Sequence, residues 1–222
     1  NDIMLPDEAI LDPILTVSVP KSVTAATAMD VLTHGIESYI SINSNIFSQM
    51  YALKSIELIG SNLLKCFNDL HNTKYRNSLQ IASCMAGISF NSSGLGITHS
   101  IAHGLGSSFH LPHGLCNAIV LPYIIEFNGR DAKTREKYIR ILEAMGASNI
   151  NSNMSTVILE ELIIELNKAL EIPLDLRSLN IDKKQFDAIV SNLAQTAYKD
   201  ICTSTNPVSV SINDLEDLIR SL

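Results

Sequence analysis

The chain has 222 residues, 46% of them hydrophobic and only 18% charged, with a net charge of −7 when histidine is neutral. That composition can bury a sizeable core and excludes a disordered chain. Lysine and arginine form no run longer than Lys183-Lys184 in a chain that is acidic overall, which argues against the electropositive face that nucleic acid or an anionic membrane surface would need.

Residues 1–20 hold Pro6, Pro13 and Pro20 and read as an extended connector into a helical domain over 21–222. A helix is expected from about 22, with Ser22 or Thr24 as its cap, to about Ser41, where Asn43-Ser44-Asn45 signals a turn. Leu53, Ile56, Ile59 and Leu63 give the helical period over about 46–70. His71-Asn72-Thr73 breaks it, and another helix follows over about 75–90. The run Asn91-Ser-Ser-Gly-Leu-Gly96 is a poor continuation. A short helix is then expected over 97–108, with Pro112 ending that segment, and another over 115–127. Past Gly129, stretches near 131–145, 154–170, 183–199 and 212–221 have ordinary amphipathic spacing. No strand pairing or repeat is evident, so the expected class is all-α, a multi-helix bundle. Cys66, Cys84, Cys116 and Cys202 form no CxxC pair and sit at no zinc-finger spacing, as reduced thiols in a cytoplasmic protein would. No apolar run reaches the ~18 residues of a membrane span.

The histidines all fall within 22–128, so chemistry is expected there. Asp30 and His34 stand at i, i+4 on a helical face that is otherwise Ala26, Met29, Leu32 and Ile36. A carboxylate and an imidazole on an apolar stripe need a partner, because burying an unpaired charge is costly. A buried Asp–His hydrogen bond or a metal ion would each supply one. His99, His103, His110 and His113 crowd into fifteen residues, and His99 and His103 are again at i, i+4. Helix geometry taken alone favours Asp30, His34, His99 and His103 as two facing pairs around Fe(II) or Zn(II). Polar packing around the glycines is the structural alternative. His113, between Pro112 and Gly114, is expected on a turn that could fold back to the same place.

Longer runs carry a resemblance. They are Pro20-x-x-x-Thr24-Ala-Ala-Thr-Ala-Met-Asp30-Val-Leu-Thr-His34-Gly-Ile-Glu37, and Gly94-Leu-Gly96-Ile-Thr-His99-Ser-Ile-Ala-His103-Gly-Leu-Gly106 followed by Pro112-His113-Gly114-Leu-x-Asn117. In order and spacing they resemble the two signatures of the iron-containing (group III) alcohol dehydrogenases. Cys202-Thr-x-Thr-Asn206-Pro207 is similar to that family's segment before its last helix.

The resemblance implies the metal ligands Asp30, His34, His99 and His113. It places His103 beside the nicotinamide and the reacting alcohol, as a candidate for proton relay or cofactor positioning. Glu37 matches the signature too, either bonding a ligand or packing structurally. Phe90, Asn91 and Cys202 fall near the family's substrate pocket or serve the core and loops. His110 and His71 match no functional position. The implied activity is hydride transfer between a primary alcohol or its aldehyde and NAD(P), with Fe(II), or Zn(II), binding the alcohol oxygen. The partners are then a small alcohol or aldehyde, and the family's habit of association allows a homo-oligomer.

Neither Gly94-Leu-Gly96 nor Gly104-Leu-Gly106 follows a strand or continues to a third glycine. This chain is therefore not expected to bind a dinucleotide alone, and the resemblance implies that the nicotinamide cofactor belongs to a preceding nucleotide-binding domain missing from this chain, with 1–20 as the connector from it. Two other readings fit a helical His/Asp protein. One is a catalytically silent module stabilised by its metal. The other is a helical metal-dependent phosphohydrolase, which usually carries an adjacent His–Asp pair; no histidine here is followed by Asp.

Overall fold

Proline and glycine punctuation divides the chain into nine α-helices in a computed structural model that describes residues 8–179 and 181–222. They are α1 (Lys21–Ile40), α2 (Ile46–Asn68), α3 (Thr73–Ser93), α4 (Ile97–Phe109), α5 (His113–Asn128), α6 (Ala132–Ala144), α7 (Ser155–Ala169), α8 (Lys183–Lys199) and α9 (Ile212–Ser221). Among the described residues there is no strand, and no helix is long and apolar enough to cross a membrane.

Local chemistry moves four boundaries from those expected. Neither Ser22 nor Thr24 caps α1. Pro20, with φ −60° and ψ 156°, is the cap residue, and Thr24 Oγ1 instead donates to its carbonyl at 3.0 Å. A proline there pre-sets the backbone entering the helix. The third helix continues through Asn91 to Ser93, because only Gly94, at φ 72°, leaves helical space. His113 is the first residue of α5 rather than part of a turn, since Pro112 occupies the cap position. The stretch before α1 is not wholly extended: Asp12 caps a 3-10 turn over Pro13–Thr16. Residues 1–7 of the expected connector lie outside the described residues.

Arg76, almost fully buried, fastens that entry to the bundle. Its guanidinium donates to the Leu70 carbonyl, to Thr24 Oγ1 and to the Val19 carbonyl at 2.8, 2.8 and 2.9 Å.

α1 is the central helix, packed on α2 and α3 and on α5. Nearly all of α5 is buried, so its apolar residues occur all round it. Pro122 lies inside α5, and a proline has no N–H to give the carbonyl four residues earlier. That carbonyl, Ala118 O, accepts instead from Asn167 Nδ2 of α7 at 2.7 Å, in full burial. One amide thus supplies the bond that Pro122 withholds and docks α7 on α5. Replacing Asn167 by Leu strands a buried carbonyl and is expected to cost about 1–3 kcal/mol in chemical denaturation. In the Pro122→Ala background the same change should cost less, because the substituted alanine supplies the missing N–H; an equal cost in both backgrounds would refute the pairing.

Candidate metal centre

Three helices meet where the sequence concentrates Asp and His. α1 contributes Asp30 and His34, one turn apart. α4 contributes His99 and His103, and α5 contributes His113. Asp30 Oδ1 is the common point: His113 Nε2 lies 3.4 Å from it, His99 Nε2 3.5 Å and His34 Nε2 3.9 Å. The rings are layered, with His34 stacked on His99 at 4.5 Å between centroids and Phe90 on the other side of His34 at 4.6 Å.

His103 is placed differently. Its ring stacks on His113 at 5.3 Å, but its Nδ1 turns away to Asp200 Oδ2 at 2.8 Å. The structure therefore does not make His99 and His103 a pair facing Asp30. His110 ends α4 in left-handed backbone, His71 is exposed, Asn91 is exposed, and Cys202 is buried near His103 and Asp200.

Glu37 explains how His99 is held. Its side chain is 1% exposed and fully engaged. Oε2 accepts from His99 Nδ1 at 2.6 Å and from the Gly96 N–H at 3.0 Å, while Oε1 accepts from the Thr98 N–H at 2.7 Å. The carboxylate thereby caps α4, whose cap residue Gly96 has no side chain to do so, and it sits where the helix dipole favours negative charge. With Nδ1–H given to Glu37, Nε2 is the nitrogen that faces Asp30, and in the neutral ring it carries the lone pair. A Cβ on Gly96 would stand 2.7 Å from Glu37 Oε1, so only glycine lets the carboxylate come this close.

Asn117, on α5 one turn after His113, is the polar residue whose role sequence reasoning missed. Its Nδ2 lies 2.6 Å from Asp30 Oδ1, 3.0 Å from His113 Nε2 and 3.1 Å from His99 Nε2. An amide has two hydrogens for these three acceptors, and Asn117 Oδ1 is itself buried without a partner among the described residues. The i, i+4 spacing from His113 was the available signal.

Electrostatics follow from burial against two carboxylates. Burial drives the His34 pKa down to about 4, reinforced by His99. Burial also lowers His113. At His99 burial is overcome by Asp30 and Glu37, which raise it to about 9. Burial opposes charge on Asp30 and on Glu37 as well, yet the contact with His99 holds both below the ordinary carboxylate range.

The donor set fits a divalent cation. Four donors on a tetrahedral ion with bonds of ~2.1 Å stand roughly 3.4 Å apart, close to the spacings around Asp30 Oδ1. Lone pairs from one carboxylate and two imidazoles, Asp30, His99 and His113, converge on an amide with too few hydrogens, with the third imidazole, His34, 3.9 Å from Asp30 Oδ1, and a cation would complement such a cluster.

Residues 24–222 match the profile of the Fe-containing alcohol dehydrogenase family, C-terminal. The NADPH-dependent butanol dehydrogenase of Clostridium saccharobutylicum is 35% identical over 216 residues, covering 97% of this chain and 54% of that protein. The 1-propanol dehydrogenase of Citrobacter freundii is 37% identical over 225 residues, covering 100% and 60%. Among solved structures, the iron-containing alcohol dehydrogenase of Thermococcus thioreducens superposes with a TM-score of 0.88 at 32% identity, covering 97% of this chain and 54% of that one. A 1,3-propanediol oxidoreductase gives the same TM-score and identity over 95% and 54%. The chain thus spans between half and two thirds of the length of these relatives.

Gly114 sets the distance between His113 and Asp30. A Cβ there would run into the Ala26 carbonyl of α1 and come within 3.2 Å of Asp30 Cβ. Backbone cannot yield as a flexible side chain does. Gly114→Ala should therefore force α5 off α1 and cost about 1–3 kcal/mol in chemical denaturation. Unchanged stability would mean the two helices are free to slide.

Proposed function

Because the chain belongs to the iron-containing alcohol dehydrogenase family, as its C-terminal part, we propose that it is the metal-holding half of a dehydrogenase that interconverts a small primary alcohol and its aldehyde with NAD(P). The observation that carries this reading is the convergence of His99 and His113 on Asp30 Oδ1 at 3.5 and 3.4 Å, with His34 at 3.9 Å. Asp30, His34, His99 and His113 are the ligands, and the oxygen and imidazole donors suit Fe(II) while accepting Zn(II). The bound ion supplies Lewis-acid polarisation of the alcohol or aldehyde oxygen.

The chain's own residues do the rest. Glu37 keeps His99 in the tautomer whose Nε2 lone pair is available, and holds the ring against rotation. Asn117 ties Asp30 to His113 and His99, so the donors stay gathered. Phe90 stacks on His34 at 4.6 Å and steadies the ring. The cavity bordering Asp30 and His113 is lined by Ala25, Ala26, Phe67 and Leu115 together with the paired Lys21 and Glu171, and its apolar part would take the carbon chain of a short alcohol. His103, half exposed beside His113, moves the proton of the alcohol hydroxyl and meets the nicotinamide. The nicotinamide, the hydride acceptor, is held by a nucleotide-binding part outside this sequence. The four free thiols suit a reducing, cytoplasmic setting.

Metal analysis after anaerobic purification, with Fe(II) or Zn(II) offered, tests the ligand set. One ion per chain is expected. His113→Ala should abolish tight binding, whereas His103→Ala should leave it intact. Glu37→Gln should weaken affinity roughly 10–100-fold in competition with a chelator. Failure of the chain to retain either metal, or loss of metal from the His103 variant alone, overturns the assignment.

A further inference from the structure

One carboxylate faces His103, and it comes from a segment remote in sequence. Asp200 Oδ2 lies 2.8 Å from His103 Nδ1, across a separation of 97 residues. Asp200 follows α8 and caps the 3-10 turn Ile201–Thr205, where its other oxygen, Oδ1, accepts from the Cys202 N–H at 2.9 Å. The carboxylate is therefore gripped on both sides.

The turn that carries it is fastened to the helix that carries His103. Thr203 Oγ1 lies 2.8 Å from Ser100 Oγ of α4 and 2.6 Å from the Ala197 carbonyl of α8. Thr205 Oγ1 donates to the Leu95 carbonyl, just before α4, at 2.7 Å. The relation between Asp200 and His103 is thus a property of the packed fold.

An ionised carboxylate only accepts hydrogen bonds, so the hydrogen between the two groups belongs to His103 Nδ1. In the neutral ring the opposite nitrogen, Nε2, then carries the lone pair, and it makes no hydrogen bond among the described residues. We propose that Asp200 is the positioning residue of His103, fixing the Nδ1–H tautomer and the ring orientation so that Nε2 is the atom that exchanges a proton with the substrate hydroxyl. The proposal rests on the role given to His103 above. In alcohol oxidation His103 Nε2 would take up the hydroxyl proton while Nδ1–H stays bonded to Asp200, and the nicotinamide would supply the hydride acceptor. Aldehyde reduction runs the same transfers backwards. The arrangement is separate from the Glu37–His99 pair, which fixes a histidine whose Nε2 faces Asp30.

Asp200→Asn separates this role from a structural one. The asparagine oxygen still accepts from the Cys202 N–H, so the turn is kept. Its NH2 then faces His103 and can only donate, which requires Nδ1 to become the acceptor and moves the ring hydrogen to Nε2. Imidazole nitrogen NMR on the 15N-labelled, zinc-loaded chain reads the tautomer directly. The expected result is Nδ1–H in the parent and Nε2–H in Asp200→Asn, with zinc content unchanged. In the enzyme joined to its nucleotide-binding part, kcat should fall tenfold or more with KM for the alcohol little altered, and Asp200→Glu should recover part of it. An Nε2–H signal in the parent, a tautomer unmoved by the substitution, or loss of zinc from the variant overturns the proposal. Full turnover by His103→Ala with the tautomer switch intact would instead sink the relay role of His103 and leave the positioning role of Asp200 standing.

Discussion

A single buried carboxylate sets the architecture of the site. Glu37 belongs to α1, yet its bonds go to the start of α4 and to His99 within it. An isolated carboxylate in that environment would be too costly to keep charged, and three donors offset that cost. The same three bonds fix the rotation of α4 relative to α1 and choose the tautomer of His99. Helix capping, helix registration and ligand preparation are one interaction seen from three sides. This explains why the stretch before α4 is glycine-rich: a side chain at Gly96 would displace the carboxylate on which the rest depends.

The opposite wall of the site is set by contact rather than charge. Gly114 lets α5 approach the backbone of α1, which carries His113 to within 3.4 Å of Asp30. Pro122 and Asn167 brace α5 further along its length, because the carbonyl freed by the proline is satisfied only when α7 is docked. Small residues and a withheld hydrogen bond therefore do for α5 what Glu37 does for α4. Both devices place imidazoles by fixing main chain, the most dependable way to hold four donors within a few tenths of an ångström.

Local rules made the helices legible. Apolar spacing and the breaks at Asn43–Asn45, Asn72, Gly94 and Gly129 lie close to the observed ends. The misjudged ends are those where a local preference met a specific neighbour: Ser93 stays helical until Gly94, and Pro112 starts α5 at His113. Within the site, the pairing of Asp30 with His34 is visible as i, i+4 spacing. The different fates of His99 and His103, spaced identically, are not. What separates them is Glu37 on one side and Asp200 on the other, 62 and 97 residues distant. Spacing along one helix names the residues that share a face, but the partner each one meets is decided by how remote segments return.

That return also explains why the histidines differ in exposure. His99 is 1% exposed, clasped between Asp30 and Glu37, while His113 and His103 are 40% and 45% exposed and stacked on each other. The cluster is thus closed at the Glu37 end and open at the Asp200 end. The donors near Asp30 run from the enclosed His99 to the exposed His113, so the proposed cation would be shielded by rings and helix on one side only. A group exchanging protons with a substrate must be reachable, and reachability costs rotational order. Asp200 restores that order at the open end by means of a turn rather than a helix, because a 3-10 segment capped by its own aspartate offers a carboxylate sideways to a neighbouring helix while its hydroxyls fasten it there. The two carboxylates, one 1% exposed and the other 18%, bond their two histidines alike, at Nδ1, and the position of each histidine on its helix turns one Nε2 toward Asp30 and leaves the other beside the opening.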